Sequence, residues 1–189
     1  MGTRQRLSNC KDDPLEDCDA QVIHLMVEYM KEFLEKPHPI LGDMPLCPFA
    51  RKARLEDRIL YKVVRFGARG DFHPNSPVMK IISEFCQEGR YEVLLVIHPE
   101  KQAITQFQLQ EFIDSLNKQI SDSGLVAFGG HPDEDFNIQD VYTRQEPFLN
   151  FTVQTKQLLK KASDSLLKTD YYKNWTPDNL RYVGMPRGD

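Results

Sequence analysis

No apolar run in this sequence approaches the ~20 residues that a membrane-spanning helix needs. The longest, Val93 to Ile97, is only as long as a strand. The amino terminus, Met1 to Arg6, is polar and has no apolar signal core behind it. Arg6 stands where a myristoylation signal following Gly2 requires Ser or Thr. There is no excess of positive charge: 24 Lys and Arg stand against 28 Asp and Glu, a net charge of -4, so no overall field is present to hold nucleic-acid phosphates. Low-complexity runs and internal repeats are absent. Four cysteines occur, at 10, 18, 47 and 86, without a C-x-x-C pair, which removes the usual zinc spacings. Cytosolic thiols stay reduced, so no disulfide is expected. Together these absences point to a cytoplasmic chain with neither a membrane nor a nucleic-acid partner.

What is present suits one core-bearing unit: 189 residues, 40% hydrophobic and 28% charged. Residues 1–18 are polar, with Asp12-Asp13-Pro14 and Glu16-Asp17, and read as a loose leader ahead of a single domain over 19–189. Cys10 and Cys18 fall in that leader and look incidental. Apolar residues at spacings of three and four predict helices from about Ala20 to Lys36, Val78 to Gln87, Thr105 to Asp122 and Lys156 to Lys168. Ser76-Pro77 supplies a cap and a first-turn proline, and Gly89 a stop. Strands are expected at Arg58–Phe66, Glu92–Ile97, Leu125–Phe128 and Pro147–Gln154. The Glu92–Ile97 run is apolar enough for a central strand covered on both faces. The order α-β-α-β-α-β-β-α is that of a mixed α/β fold (α+β), with about four strands in one sheet and about four helices packed on it. Lys156, Lys160, Lys161 and Lys168 read as the solvated side of the last of these helices.

Chemistry concentrates in three loops. Residues 37–49 hold prolines at 37, 39, 45 and 48 plus Gly42, a stretch expected to be a shaped loop without regular structure. It presents Cys47, which Pro48 keeps out of helical geometry. Arg51, Lys52 and Arg54 follow closely and would favour a thiolate, able to act as nucleophile, redox thiol or metal ligand. Cys86, on a helical pattern, reads as a small buried apolar residue. His98 and His131 each follow a strand and precede proline, where sites collect in α/β sheets. His131 opens a segment with the acidic trio Asp133, Glu134 and Asp135. Arg144 can fork onto a carboxylate or pair at the surface with Asp140 or Glu146. These parts allow a Cys47-dependent hydrolase or transferase with His98 or His131 as base, or a metal site from His98, His131 and Asp133. They also allow a non-catalytic module whose partner surface is the proline-rich loop with Tyr171 to Trp175.

Leu46-Cys47-Pro48-Phe49-Ala50, Leu94 to Pro99, Phe128 to Phe136 and Tyr142 to Phe148 occur in one order over roughly residues 37–160. This set resembles a group of uncharacterised bacterial proteins with a C-P-F-A motif. More distantly it resembles the YqcI/YcgG-type haem enzymes, which oxygenate amine or guanidine nitrogens of amino acids. The motif cysteine matches Cys47, although Leu46 stands where that pattern has proline. The late arginine of that pattern matches Arg144 only loosely. The resemblance implies a haem-thiolate protein holding haem b, with Cys47 as axial ligand and an oxygenase acting on a small amino-acid-like substrate. Such chemistry suits a thiolate, which favours O–O cleavage. Pro48, Phe49 and Arg51 would flank the haem, His131 and Arg144 would serve catalysis, and the partners would be an electron-donor protein and a second copy in a homodimer.

Overall fold

Val93–Ile97, here β4, is apolar throughout because both its faces are covered. Leu94 and Val96 enter one buried cluster, and Leu95 and Ile97 enter another on the opposite side. The structure, a computed structural model, describes residues 15–183. Its main sheet has four strands: β3 (Ile59–Val63), β4, β5 (Leu125–Gly130) and β8 (Asn150–Thr155), in spatial order β3-β4-β8-β5. β3 and β4 are parallel, while β8 runs antiparallel to both β4 and β5. The C-terminal ends of β3, β4 and β5 therefore share one sheet edge with the start of β8. At that edge Asn150 is in register with both Ile97 and Gly130.

Two layers of helix close the sheet. On one face lie α3 (Pro77–Glu88) and α4 (Gln106–Gln119), whose Ile82, Phe85, Phe112 and Leu116 pack on Phe151 and Val153. On the other lies α1 (Leu15–Tyr29), with α2 (Ala50–Leu55), where Met26, Met30 and Ala53 pack on Ile59, Leu95 and Ile97. Caps place α3 as the sequence predicts. The Ser76 hydroxyl accepts from the Met79 amide, Pro77 fills the first turn, and Gly89 closes α3 in the left-handed region at φ 63. The fold is a mixed α+β arrangement, as expected.

Several boundaries differ from expectation. The first helix starts at Leu15 rather than near Ala20 and Cys18 is buried, so the leader does not extend to 18; residues 1–14 lie outside the described part. After Tyr29 the helix continues as a π turn, Met30–Leu34, with the Glu35 amide bonded to the Met30 carbonyl. The proline-rich loop does contain pairing: β1 (Pro37–His38) faces β2 (Met44–Pro45) around a 3-10 turn, Pro39–Leu41. Two-residue strands tolerate proline because most of their ladder is missing anyway. Two six-residue helices, α2 and α6 (Pro177–Tyr182), were not expected. A short hairpin, β6 (Asn137–Ile138) with β7 (Val141–Tyr142), turns through Gln139 and Asp140, both left-handed. α5 (Lys156–Leu166) leaves Lys156, Lys160 and Lys161 exposed and ends two residues before the expected Lys168, which is exposed in the turn that follows. Among the described residues no helix is long and apolar enough to cross a membrane.

Candidate functional site

Cys47 is anchored at both ends of its peptide unit. Its amide donates to the Leu34 carbonyl at the end of the π turn, and its carbonyl accepts from the Ala50 amide. The sulfur takes the backbone N–H groups of Phe49 and Ala50, yet burial outweighs them and pushes the thiol up. Glu35 pushes the same way. Of the three cations expected to favour a thiolate, Arg54 grips Glu35 in a bidentate pair at 2.7 and 2.8 Å, Lys52 lies near Glu56, and Arg51 is exposed. Cys86 departs from expectation in the other direction, being exposed on α3.

Tyr29 and Tyr171 tie Cys47 to the loop that follows β5. Both tyrosines lie within electrostatic range of Cys47 and of Arg144. The Tyr171 hydroxyl donates to the Leu46 carbonyl. Burial raises both phenols, so both are held as proton donors. Arg144 stands 3.8 Å from the buried carboxylate of Glu134, donates to the Gly129 carbonyl, and lies over the rings of Phe136 and Tyr182. Glu134 is the buried member of the acidic trio, between exposed Asp133 and Asp135, and it accepts from the Tyr182 hydroxyl.

Glu146, two residues after Arg144, is the carboxyl most altered by this setting. Burial raises its carboxyl to about 7; Arg144 pulls it down and Glu134 pushes it up. Its Oε2 is shut from solvent and has no hydrogen-bond partner in the protein, and the same is true of the Tyr29 hydroxyl. The Glu146 charge helps to raise the Tyr29 phenol, but the two are not bonded to each other. Gly130 makes room for this carboxyl. A Cβ there would come within 2.8 Å of Glu146 Cδ and of Asn150 Nδ2. A third buried orphan, Trp175 Nε1, belongs to an indole that packs on Phe136 and Tyr171.

The C-terminal segment covers this cluster. Asn174 donates to the Ile40 carbonyl and Asn179 to the Asn137 carbonyl, so residues 169–182 strap the proline-rich loop to the β6–β7 hairpin. A Cβ on Gly42 would meet Asp170 Cβ at 2.8 Å, which shows how closely the strap lies on the loop. Beside the strap is a cavity of about 350 Å3 lined by Asp135, Phe136, Gln139, Thr176, Asn179 and Tyr182.

Compared with family models, curated proteins and solved structures, the chain matches none.

The residues read from the sequence divide into two groups. Cys47 and Arg144 come together around Tyr29 and Tyr171. His131 does not serve as a free base in this arrangement: it is buried, Nε2 bonds the Ile104 carbonyl at 3.0 Å, and Nδ1 accepts from the Asp133 amide. His98 is likewise buried, with Nδ1 bonded to the backbone of Glu100 and its basicity lowered by burial. Among the described residues no three His, Cys, Asp or Glu side chains converge as a metal site, which removes the His98, His131, Asp133 option. The flanking residues named from the haem resemblance do not form a cradle around the sulfur. Phe49 is 41% exposed, Arg51 is exposed, and Cys47 packs against the core on the α1 side of the sheet. The sequence reading missed Tyr29 and passed over Glu146 as a surface partner of Arg144.

Proposed function

We propose that the chain handles a small polar molecule at the strand-end cluster of Tyr29, Glu134, Arg144 and Glu146, with Glu146 as the group that exchanges a proton. The observation that carries this is the pair of buried, unpartnered polar atoms, Tyr29 Oη and Glu146 Oε2, the carboxylate lying within electrostatic range of the phenol. A buried polar group without a partner costs about 1–3 kcal/mol, and chains retain such groups where a ligand completes them. A carboxyl poised near neutral pH is suited to general acid–base work. The Glu134–Arg144 pair fixes one side, Tyr182 fixes Glu134, and the strap keeps water out. The same reading places the chain in the cytoplasm, where Cys47 and Cys86, both free thiols, stay reduced.

Infrared titration tests this directly. The protonated carboxyl band of Glu146 should disappear with a midpoint near 7 and be missing in Glu146→Gln. A midpoint in the ordinary carboxylate range would remove the acid–base assignment.

Haem-thiolate chemistry is a second reading, favoured by the two N–H groups that face the Cys47 sulfur, since such bonds tune a ligating thiolate. It requires Phe49 and Arg51 to leave their exposed positions. Reconstitution with haem decides it. A red-shifted ferrous-CO Soret band that Cys47→Ala abolishes supports ligation, and a colourless product ends it.

A further inference from the structure

The unmet capacity of the cluster has a sign. Tyr29 is a phenol that burial holds protonated, so its orphan hydroxyl has a proton to give. Trp175 Nε1 can only donate, and it too is unpartnered. Arg144 uses two of its nitrogens, Nη2 on the Gly129 carbonyl and Nη1 near Glu134. The charge that Glu146 feels most is that of Arg144, which is positive; Glu134 acts on it less. Arg144 and Glu134, from the loop after β5, are the charged groups that act on this carboxyl, and it in turn acts on Tyr29 of α1. Cys47 and Tyr171 stand behind Tyr29 and Arg144 from the proline-rich loop and the strap. Gly130 and Asn150 close the floor and carry no charge. A cationic ligand would meet Arg144, and it would leave the Tyr29 and Trp175 protons without an acceptor.

Taking the Tyr29–Glu146 centre as the functional one, we propose that its ligand presents a carbonyl or carboxylate oxygen, held between the hydroxyl of Tyr29 and the carboxyl of Glu146. Glu146 donates to that oxygen in its acid form, and Tyr29 donates beside it. Two acidic donors converging on one oxygen also stabilise negative charge that develops there, the arrangement used to polarise carbonyl compounds. Ketosteroid isomerase pairs a tyrosine with a protonated aspartic acid to the same end.

Calorimetric titration of the full chain with three probes tests the assignment: acetophenone, a neutral carbonyl; benzoate, a carboxylate; and benzylammonium, a cation of the same shape. Acetophenone or benzoate should bind, and roughly tenfold more weakly at pH 8 than at pH 6, because Glu146 loses its proton in between. Whichever of the two binds more tightly identifies the ligand class. Glu146→Gln keeps an N–H donor, so it should bind with no pH dependence over that range. Tyr29→Phe should weaken binding at both pH values. Saturable binding of benzylammonium that tightens as pH rises overturns the proposal, and so does failure of both oxygen probes to bind at pH 6. If the infrared midpoint of Glu146 is near neutral and only the cation binds, the ligand class fails and the centre stands. If the carboxyl titrates in the ordinary range, both fail.

Discussion

A thiol reacts as its thiolate, so access and local electrostatics rank the cysteines. Cys47 is packed against the core with its thiol pushed up by burial, while Cys86 lies exposed on α3. Alkylation at mildly alkaline pH, followed by peptide mass spectrometry, should label Cys86 well before Cys47. Faster labelling of Cys47 would restore the nucleophile reading. The sequence singled out Cys47 as a presented side chain because four prolines shape its loop, whereas the fold packs it against the core. That reading mis-stated the chemistry because it counted the neighbouring cations without their partners: Arg54 is a neighbour of Cys47 in sequence and a partner of Glu35 in space. Tyr29 was hidden for a related reason. It sits in a helical stripe with Leu25, Met26, Met30 and Phe33, where a phenol reads as one more apolar body. Only its polar tip, set against a loop about 115 residues later, gives it a role, and that proximity is tertiary.

At the scale of elements, β5 is an edge strand of the sheet, and its outer backbone would be open for pairing with another chain. Asn117 of α4 closes it: its side-chain amide donates to the Ala127 carbonyl and its oxygen accepts from the Ala127 amide, at 3.0 and 2.8 Å. One side chain thus reproduces the two bonds of a neighbouring strand. Asn117→Ala should cost about 1–3 kcal/mol in urea unfolding and raise self-association seen by light scattering. A variant as stable and as monodisperse as the parent would show that the edge needs no cover. The long elements were legible because their caps and periods agree: Ser76-Pro77 and Gly89 bracket α3 as predicted. α6 had the same kind of signal, Thr176-Pro177 with Asn179 completing a capping box, and was passed over because it lies in an aromatic, irregular tail. The π turn after Tyr29 left no mark in the sequence, since its extra residue continues the same apolar stripe.

For the whole molecule, the buried centre implies a pH dependence of stability with a definite sign. The Glu146 carboxyl has its ordinary value, 4.5, in the unfolded chain and about 7 in the folded one. Between those values the folded protein holds a proton that the unfolded chain has released. Its contribution to stability therefore falls as pH rises through that window and is level above it. A tenfold difference in proton affinity is worth about 1.4 kcal/mol, so the penalty at pH 8 is roughly 3 kcal/mol. His98 acts oppositely: burial lowers its pKa below 6.5, so its neutral form contributes stability that is lost as pH falls. Glu35, lowered by Arg54, likewise loses its contribution in acid. Comparison of parent with Glu146→Gln across pH cancels both and isolates the one group. Urea unfolding should find the two proteins similar near pH 4.5 and the variant increasingly more stable up to about pH 7, with a constant gap beyond. A gap that does not change with pH would mean that Glu146 titrates alike in the folded and unfolded chain. In that case the strand-end cluster carries no stored cost for a ligand to relieve.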